Sequence, residues 1–194
     1  MSRLAAAATL CLCLCVCGAA KSSASPLDDV LAAVAAEQAA PSVRAVLKLE
    51  KENAVNVYVV ERVKPDRLRI VLNPDQSAGE IVLIGATTYW RGPAGWKRIP
   101  SARAPAVVPS VTGLFSTGLT DFTEQTASAS RRNFTGHMAW SNGGEPNLGQ
   151  LTIAVNIASN LPEQLVFDGT CAGKPCRFSQ SFSYDAALVI DVPK

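Results

Sequence analysis

The sequence has one histidine, few charged residues and few aromatic residues, and these shortages exclude several classes of function. Of its 194 residues, 18% are charged and 6% are aromatic, and the only histidine is His137. A histidine metal cluster needs more than one imidazole, and a Ser-His-Asp triad would have to use His137 alone. No glycine-rich phosphate loop occurs, because SNGGEPN at 141–147 has the composition of a hairpin turn. We therefore expect a protein that is not an enzyme and that uses no cofactor and no metal.

Two carboxylates are the remaining candidates for catalysis. Asp121 and Glu124 stand three residues apart, which is a helical spacing, and pairs of carboxyl groups hydrolyse glycosides. We interpret them instead as solvated residues on a short helical turn. His137 alternates with Phe134 and Met138 on opposite faces of one strand, which predicts an exposed imidazole.

Basic tracts are also absent, and the formal net charge is only +2. Nucleic-acid-binding proteins carry a concentrated positive surface, so we expect no nucleic-acid partner. Hydrophobic residues make up 48% of the chain, enough for one domain with a substantial core.

The first twenty residues have the three parts of a secretory signal peptide. MSRLAAAATLCLCLCVCGAA begins with Arg3, continues as an apolar segment over 4–17 and ends in small residues. The apolar segment is too short to be interpreted as a membrane span. We expect cleavage after Ala20 or after Ala24 and a periplasmic or otherwise exported protein.

A lipid anchor at Cys17 is the alternative to soluble export. Leu14 and Gly18 flank this cysteine as they would in a lipoprotein signal, but Val16 stands where that signal has a small residue. We therefore favour soluble export over a lipid-anchored envelope protein.

Only two cysteines, Cys171 and Cys176, lie outside the leader. They flank AGKP between two strand-like runs, and opposed residues of a hairpin are close enough for a disulfide. A redox-active pair usually needs Cys-x-x-Cys at a helix start, and a zinc site needs further ligands. In an oxidising compartment we expect a structural disulfide.

Hydrophobic periodicity predicts one helix followed by a series of strands. SPLDDVLAAVAAEQAA at 25–40 has Ser25 as a cap, Pro26 in the first turn and apolar residues at helical spacing. Ten or eleven strands with one apolar face follow, joined by turn sequences. They include the runs 43–50, 55–62, 66–73, 80–84, 132–140, 151–157, 163–167, 177–184 and 187–192.

Residues 101–130 interrupt this pattern. They combine two prolines with apolar residues such as Leu114, Phe115, Leu119 and Phe122. A long connection that exposed these side chains to water would be unfavourable, so we expect a lid-like insertion that covers something.

Three segments resemble the lipoprotein-carrier (LolA-like) superfamily, which includes mycobacterial lipid-carrying lipoproteins and the sensor domain of an envelope-stress regulator. They are VERVKPDRLRIVL at 60–72, EIVLIGATTYWRGPAGWKRIP at 80–100 and FSQSFSYDAALVIDVP at 178–193. The resemblance implies a single domain over 21–194 that is mainly β with helices (α+β). Its strongly curved antiparallel sheet would form an unclosed β-barrel, with an N-terminal helix and an irregular helical lid segment on the concave side.

The resemblance also implies a hydrophobic cavity that holds a lipid or acyl chain. Carriers of this family are described as holding the lid with an arginine inside the barrel, and the sequence leaves open which of Arg62, Arg67, Arg69 and Arg91 would match. We expect a lipid or lipoprotein carrier, with a lipid, an acyl chain or a lipid-modified protein as ligand, a transient membrane contact and a monomeric state. A sensor or scaffold that binds another envelope protein through the curved sheet and lid is the alternative.

The residues that we expect to line the cavity are the apolar ones of the strands, the aromatic hairpin and the insertion. They are Val57, Leu68, Ile70, Leu83, Tyr89, Trp90, Trp96, Leu114, Phe115, Leu119, Phe122 and Phe134. EIVLI at 80–84 is apolar on both faces of a strand, so we expect it where the sheet is covered on both sides or near the cavity mouth.

Overall fold

One α-helix and eleven strands make up most of the fold in a computed structural model that describes residues 24–52, 54–76, 79–99, 118–125, 128–142, 144–185 and 187–194. The signal peptide, Cys17, Leu114 and Phe115 lie outside the described residues. The elements are α1 (Pro26–Ala39), β1 (Ser42–Lys51), β2 (Ala54–Val63), β3 (Arg67–Leu72), a short 3-10 turn (Pro74–Gln76), β4 (Gly79–Ile84), β5 (Thr87–Gly92), β6 (Gly95–Ile99), β7 (Leu119–Gln125), β8 (Arg131–Asn142), β9 (Glu145–Asn156), β10 (Pro162–Cys171) and β11 (Lys174–Ser183).

The start of α1 follows from three residues at its N terminus. The Ser25 hydroxyl accepts a hydrogen bond from the Asp28 backbone N–H at 3.2 Å, and the Asp28 carboxylate accepts one from the Ser25 N–H at 3.1 Å. Pro26 occupies the first turn, where its missing N–H costs nothing. This reciprocal capping box confirms the helix that the sequence predicted.

All eleven strands join one antiparallel sheet in the order β6-β5-β4-β3-β2-β1-β11-β10-β9-β8-β7. Neighbours in the sheet are neighbours in sequence, except that β1 pairs with β11 and so joins the two ends of the chain. Within the described residues, β6 and β7 are the edges of the sheet, and residues 100–117 connect them along the chain. The structure thus confirms an unclosed β-barrel that is mainly β, with an N-terminal helix.

The core lies between α1 and one face of the sheet, which we call the inner face. Helix residues Val30, Ala33 and Val34 are buried against it. The strands contribute large side chains at alternate positions, including Leu47, Phe122, Phe134, Met138, Leu151, Ile153, Leu165, Phe167 and Phe178. All of them come from β1 and β7–β11, so the helix covers one half of the sheet, which we call the covered half.

Two glycines let aromatic rings lie flat on the inner face of the covered half. A Cβ on Gly149 or Gly169 would come within 2.6 Å and 2.8 Å of the Phe167 ring. Phe167 stacks on Phe178 at 4.8 Å between ring centroids and meets Trp140 edge to face at 4.9 Å. This part of the inner face is therefore filled by its own side chains.

Two segments differ from the sequence-based expectation. Leu119–Gln125 is strand β7, so Asp121 and Glu124 do not lie on a helical turn of an irregular insertion. Pairing with β8 and a bulge between Thr120 and Thr123, where Asp121 has a φ of 56°, allow this polar segment to complete the sheet edge. The remaining insertion residues up to 117 lie outside the described residues.

The second difference concerns the last residues, where alternation predicted a strand over 187–192. The structure shows a turn at 187 and a tail without strand pairing over 188–194. The Ser42 hydroxyl donates to the Asp185 carbonyl at 2.5 Å, and the Arg67 guanidinium donates to the Ile190 carbonyl. These side-chain contacts take the place of a strand partner and direct the tail past the ends of β1 and β3.

Cys171 and Cys176 form the expected disulfide, with 5.7 Å between their Cα atoms. It closes the hairpin between β10 and β11, where Cys171 and Lys174 are paired. Cys176 is itself buried in the core of the covered half.

Replacing both cysteines by alanine should lower the free energy of unfolding by about 2 kcal/mol, because the reduced chain regains the entropy of a short closed loop. Urea denaturation of the oxidised wild type and of Cys171→Ala/Cys176→Ala measures the difference. Wild type treated with a reductant is the control and should approach the variant. Equal stabilities of the oxidised wild type and the variant would show that the bond contributes nothing.

Candidate functional site

The inner face continues across β2–β6 as an apolar surface beyond the core, which we call the open half. Strand register places Ala45, Val60, Ile70, Ile81 and Trp90 in one row from β1 to β5. A second row joins Val43, Arg62, Leu68, Leu83, Thr88 and Ile99. Of the described inner-facing residues of β2–β6, only Arg62 and Lys97 are charged.

Burial separates the two halves of the inner face. Phe134, Leu151 and Phe167 of the covered half are fully buried at 0% exposure. In the open half, Leu68, Ile81 and Leu83 are only half-buried and Trp90 is 37% exposed. Among the described residues, β3–β6 contribute no member to the core cluster. Their inner-facing side chains, of which Ile70 and Thr88 are buried, therefore form a mainly apolar wall beyond the helix, which packs chiefly on β7 and β10.

The expected cavity residues fall into three groups. Leu68, Ile70, Leu83 and Trp90 lie together on the wall of the open half. Leu119, Phe122 and Phe134 lie in or against the core under α1. Val57, Tyr89 and Trp96 lie on the outer face, because the register aligns them with Lys48, Val82 and Arg91 and not with the wall residues.

Sequence analysis missed four wall residues, Val60, Leu72, Ile81 and Ile99. In β2, Val55, Val57 and Val59 alternate as the residues of a buried face do, and Val57 is among the expected cavity residues. Register with β1 instead pairs Leu47 with Tyr58 and Ala45 with Val60, which turns Tyr58 and Val60 to the inner side. Both faces of this strand are apolar, so no periodicity signal distinguishes them.

Two arginines hold α1 on the inner face, one from each half of the sheet. Arg132 of β8 donates to Asp29 at 2.5 Å and lies over the Phe134 ring at 4.8 Å. Arg62 of β2 donates to the Glu37 carboxylate at 3.0 Å and to the Glu37 carbonyl at 2.6 Å. The N-terminal and C-terminal turns of the helix are thus each fixed by a charged contact.

Glu37 is unusual because it is a carboxylate on the buried side of α1, with only 4% exposure. Its Oε2 and the Nε of Arg62 are buried without a hydrogen-bond partner. Burial raises the pKa of the Glu37 carboxyl, and the positive charges of Arg62 and Lys64 oppose this shift only in part. Burial also raises the pKa of the nearby Tyr184 hydroxyl, which donates to the Pro162 carbonyl at 2.7 Å.

Gln180 places a polar group on the inner face of the covered half. It stands between Leu47 and Leu165 in the sheet, is 7% exposed, and its side-chain oxygen is buried without a partner. Leaving such an oxygen unpaired costs about 1–3 kcal/mol. Water or a ligand donor reaching the inner face would relieve this cost.

The outer face of the open half carries a ladder of ion pairs. Glu61 contacts Arg44 at 3.6 Å and Arg69 at 3.1 Å, and Glu80 contacts Arg69 at 2.6 Å and Arg91 at 3.4 Å. One residue from each of β1–β5 takes part. Arg91 ends the ladder and lies 5.9 Å from the centre of the Trp96 ring.

An open pocket of about 620 Å³ lies where the ends of β3, β4 and β5 meet. Arg69, Glu80 and Arg91 of the outer face line it together with Trp90 of the inner wall. The ring of Trp90 lies over Gly92, where a Cβ would come within 2.5 Å of it. The pocket therefore sits at the rim, between the charged outer face and the apolar wall.

The arrangement of helix, sheet and inner face is similar to that of a solved lipoprotein. The fold matches that of lipoprotein LppX from Mycobacterium tuberculosis. The superposition has a TM-score of 0.61, covers 88% of this chain and 100% of that chain, and aligns residues with 14% identity. The expected likeness to a mycobacterial lipoprotein is thereby confirmed at the level of fold.

Two further solved structures show weaker likeness. The MucA/MucB complex of Pseudomonas aeruginosa gives a TM-score of 0.43 with 14% identity over 86% of this chain and 59% of that chain. A LolA superfamily protein from Nitrosomonas europaea gives 0.30 with 11% identity over 73% and 83% of the two chains. The sequence itself matches no protein-family model and no curated protein at a significant level.

Within this LppX-like fold, Arg62 is the one of the four candidate arginines whose side chain lies on the inner face. Arg69 and Arg91 belong to the outer ladder, and Arg67 bonds the C-terminal tail. In the described ranges, the helix is too short or too polar to cross a bilayer. His137 is exposed, and no group of three potential metal-ligating side chains was found within those same ranges.

Replacing only one residue of the Glu37–Arg62 pair should destabilise the protein more than replacing both residues. Glu37→Met leaves the Arg62 guanidinium, 27% exposed, without its carboxylate, and should cost on the order of 2 kcal/mol. The double variant Glu37→Met/Arg62→Met should recover to within about 1 kcal/mol of wild type. Denaturant unfolding of wild type, Glu37→Met, Arg62→Met and the double variant measures the coupling, and additive effects would show that the pair does not hold the helix.

The raised pKa of Glu37 gives a pH dependence of known sign. In the native state Glu37 takes up its proton at a higher pH than in the unfolded chain. The free energy of unfolding therefore rises as the pH falls through the native pKa of Glu37. The gain levels off below the pKa of the unfolded chain, near 4.5. The stability of wild type relative to Glu37→Gln should therefore rise in that window. A relative stability that falls on acidification would indicate a lowered pKa instead.

Proposed function

We propose that the protein binds a lipid or acyl chain against the apolar wall of the open half and carries it in the cell envelope, without catalysing a reaction. The observation that carries this proposal is that α1 covers only part of the apolar inner face of the sheet. Most inner-facing apolar side chains of β3–β6 stay partly exposed and none joins the core cluster under α1, although Ile70 is itself buried. Monomeric soluble proteins rarely leave a contiguous apolar surface of this kind without a partner or ligand.

The chemistry of the wall favours an acyl chain over a polar ligand. Its central residues, such as Ile70, Ile81 and Leu83, offer no hydrogen-bonding side-chain group. The charged residues Arg62 and Lys97 stand on the outermost strands of the five, β2 and β6. Each methylene moved from water to such a surface contributes about 0.8 kcal/mol.

A carrier role in the envelope is supported by two further features. The N-terminal sequence has the parts of an export signal, and the fold is similar to that of a protein named as a lipoprotein. Carriage needs reversible binding, and dispersion contacts and apolar burial provide it without any covalent step.

Native mass spectrometry of the exported protein, purified without detergent, tests the proposal directly. We expect acyl-containing species bound to the folded protein, and renewed uptake of a fluorescent fatty acid after delipidation. A delipidated protein that takes up no acyl chain, yet retains a protein partner in a pull-down, would favour the sensor or scaffold alternative.

A tryptophan placed on the wall should compete with the acyl chain for space. Leu83→Trp should weaken binding of the fluorescent fatty acid by about tenfold, the equivalent of roughly two buried methylenes. Val57→Trp is the matched control, because Val57 is half-buried on the outer face of the same sheet. It should leave the affinity unchanged. Loss of affinity in Val57→Trp alone would place the ligand on the outer face.

A further inference from the structure

The hairpin formed by β5 and β6 combines positive charge with aromatic rings and contains no acidic residue. Over Thr87–Ile99 it carries Arg91, Lys97 and Arg98 together with Tyr89, Trp90 and Trp96. The whole chain is nearly balanced, with 18 basic and 16 acidic residues. This hairpin is therefore a local concentration of one charge sign.

The charges of the hairpin are exposed and weakly neutralised. The side chain of Arg91 is 61% exposed, and its ion pair with Glu80 is long, at 3.4 Å. Glu80 is held more closely by Arg69, at 2.6 Å. Among the described residues Glu80 is the only carboxylate that forms an ion pair with the hairpin, and Arg98 bonds only the Thr87 hydroxyl, at 3.5 Å.

The position of the hairpin relates it to the apolar wall. β6 is an edge of the sheet on the open half. Trp90 belongs to the inner row, is 37% exposed and also lines the rim pocket with Arg91. A surface that contacted the outer side of this hairpin would thus lie beside the rim of the wall.

We propose that the β5–β6 hairpin is the surface by which the protein docks on an anionic lipid bilayer. Lysine and arginine side chains are attracted to anionic headgroups, and tryptophan and tyrosine rings favour the boundary between headgroups and acyl chains. Three basic residues are too few for a nucleic-acid surface. The proposal rests on the proposed function in one respect, since docking here brings the open wall to the lipid from which an acyl chain would come.

Vesicle flotation of the mature protein tests this docking. The probes are vesicles of pure phosphatidylcholine and vesicles of equal parts phosphatidylcholine and phosphatidylglycerol. We expect binding to the anionic vesicles only, and loss of that binding as salt is raised, because surface charges are screened. Equal binding to both kinds of vesicle would overturn the proposal.

The decisive variant is Arg91→Gln/Arg98→Gln, which neutralises two outer-facing charges of the hairpin. Each basic residue near an anionic surface contributes about fivefold to partitioning, so the double variant should bind anionic vesicles about 25-fold more weakly. Lys48→Gln/Arg177→Gln is the control, with the same loss of charge on exposed residues of β1 and β11. An equal loss in this control would show that net charge, and not the hairpin, determines binding.

Fatty-acid uptake in solution separates this proposal from the proposed function. Arg91→Gln/Arg98→Gln should load the fluorescent fatty acid as wild type does, because neither residue lies on the wall. If wild type binds anionic vesicles through the hairpin but takes up no fatty acid, docking stands and the carrier function fails. If it takes up fatty acid but ignores the vesicles, or binds them only with an acidic protein present, docking on lipid is overturned.

Discussion

A single helix has to cover the inner face of an eleven-stranded sheet, and its size limits the extent of the core. With 14 residues, α1 is about 21 Å long and about 10 Å wide. Eleven strands spaced by about 4.8 Å span about 48 Å. Even if it lay across the strands, the helix would reach over only about half of them. The described core accordingly forms on β1 and β7–β11, and the wall on β3–β6 follows from the area that remains.

The boundary between the two halves depends on where the helix is held. Its buried stripe consists of small residues, Val30, Ala33 and Val34, which allow close approach but give little to prevent sliding. Charged contacts supply the position. Asp29 is favourable at the positive end of the helix, whereas Glu37 is buried near the negative end and is stabilised there by Arg62. The Glu37–Arg62 contact therefore contributes more to the position of α1 on the sheet than to the stability of the fold. The reason is that desolvation offsets much of the attraction between such groups.

Much of the fold could be predicted because local chemistry agrees with it. Ser25 and Pro26 define the helix start, alternation identifies most strands, and the spacing of Cys171 and Cys176 suits a hairpin. Face and pairing could not be predicted where both sides of a segment look alike. Val57 and Tyr58 are both apolar enough to face inward, and only the register with Leu47 decides between them. The tail around Ile190 alternates like a strand but meets Arg67 instead of a strand partner.

The open half lacks a helix on its inner side in the described structure, so its strands must be held together in another way. On the outer face, Glu61 and Glu80 have side chains only 6% and 12% exposed, and each is shared between two arginines. Exposed pairs contribute little one by one, but shared and partly buried carboxylates link five strands into one network. Because the ladder lies on the outer face, none of its side chains takes up space on the inner wall. Arg91 forms the last contact of the network, at 3.4 Å, and is the most exposed of its three arginines. That is the point at which an anionic surface could replace Glu80 as the partner without disturbing the strands behind it.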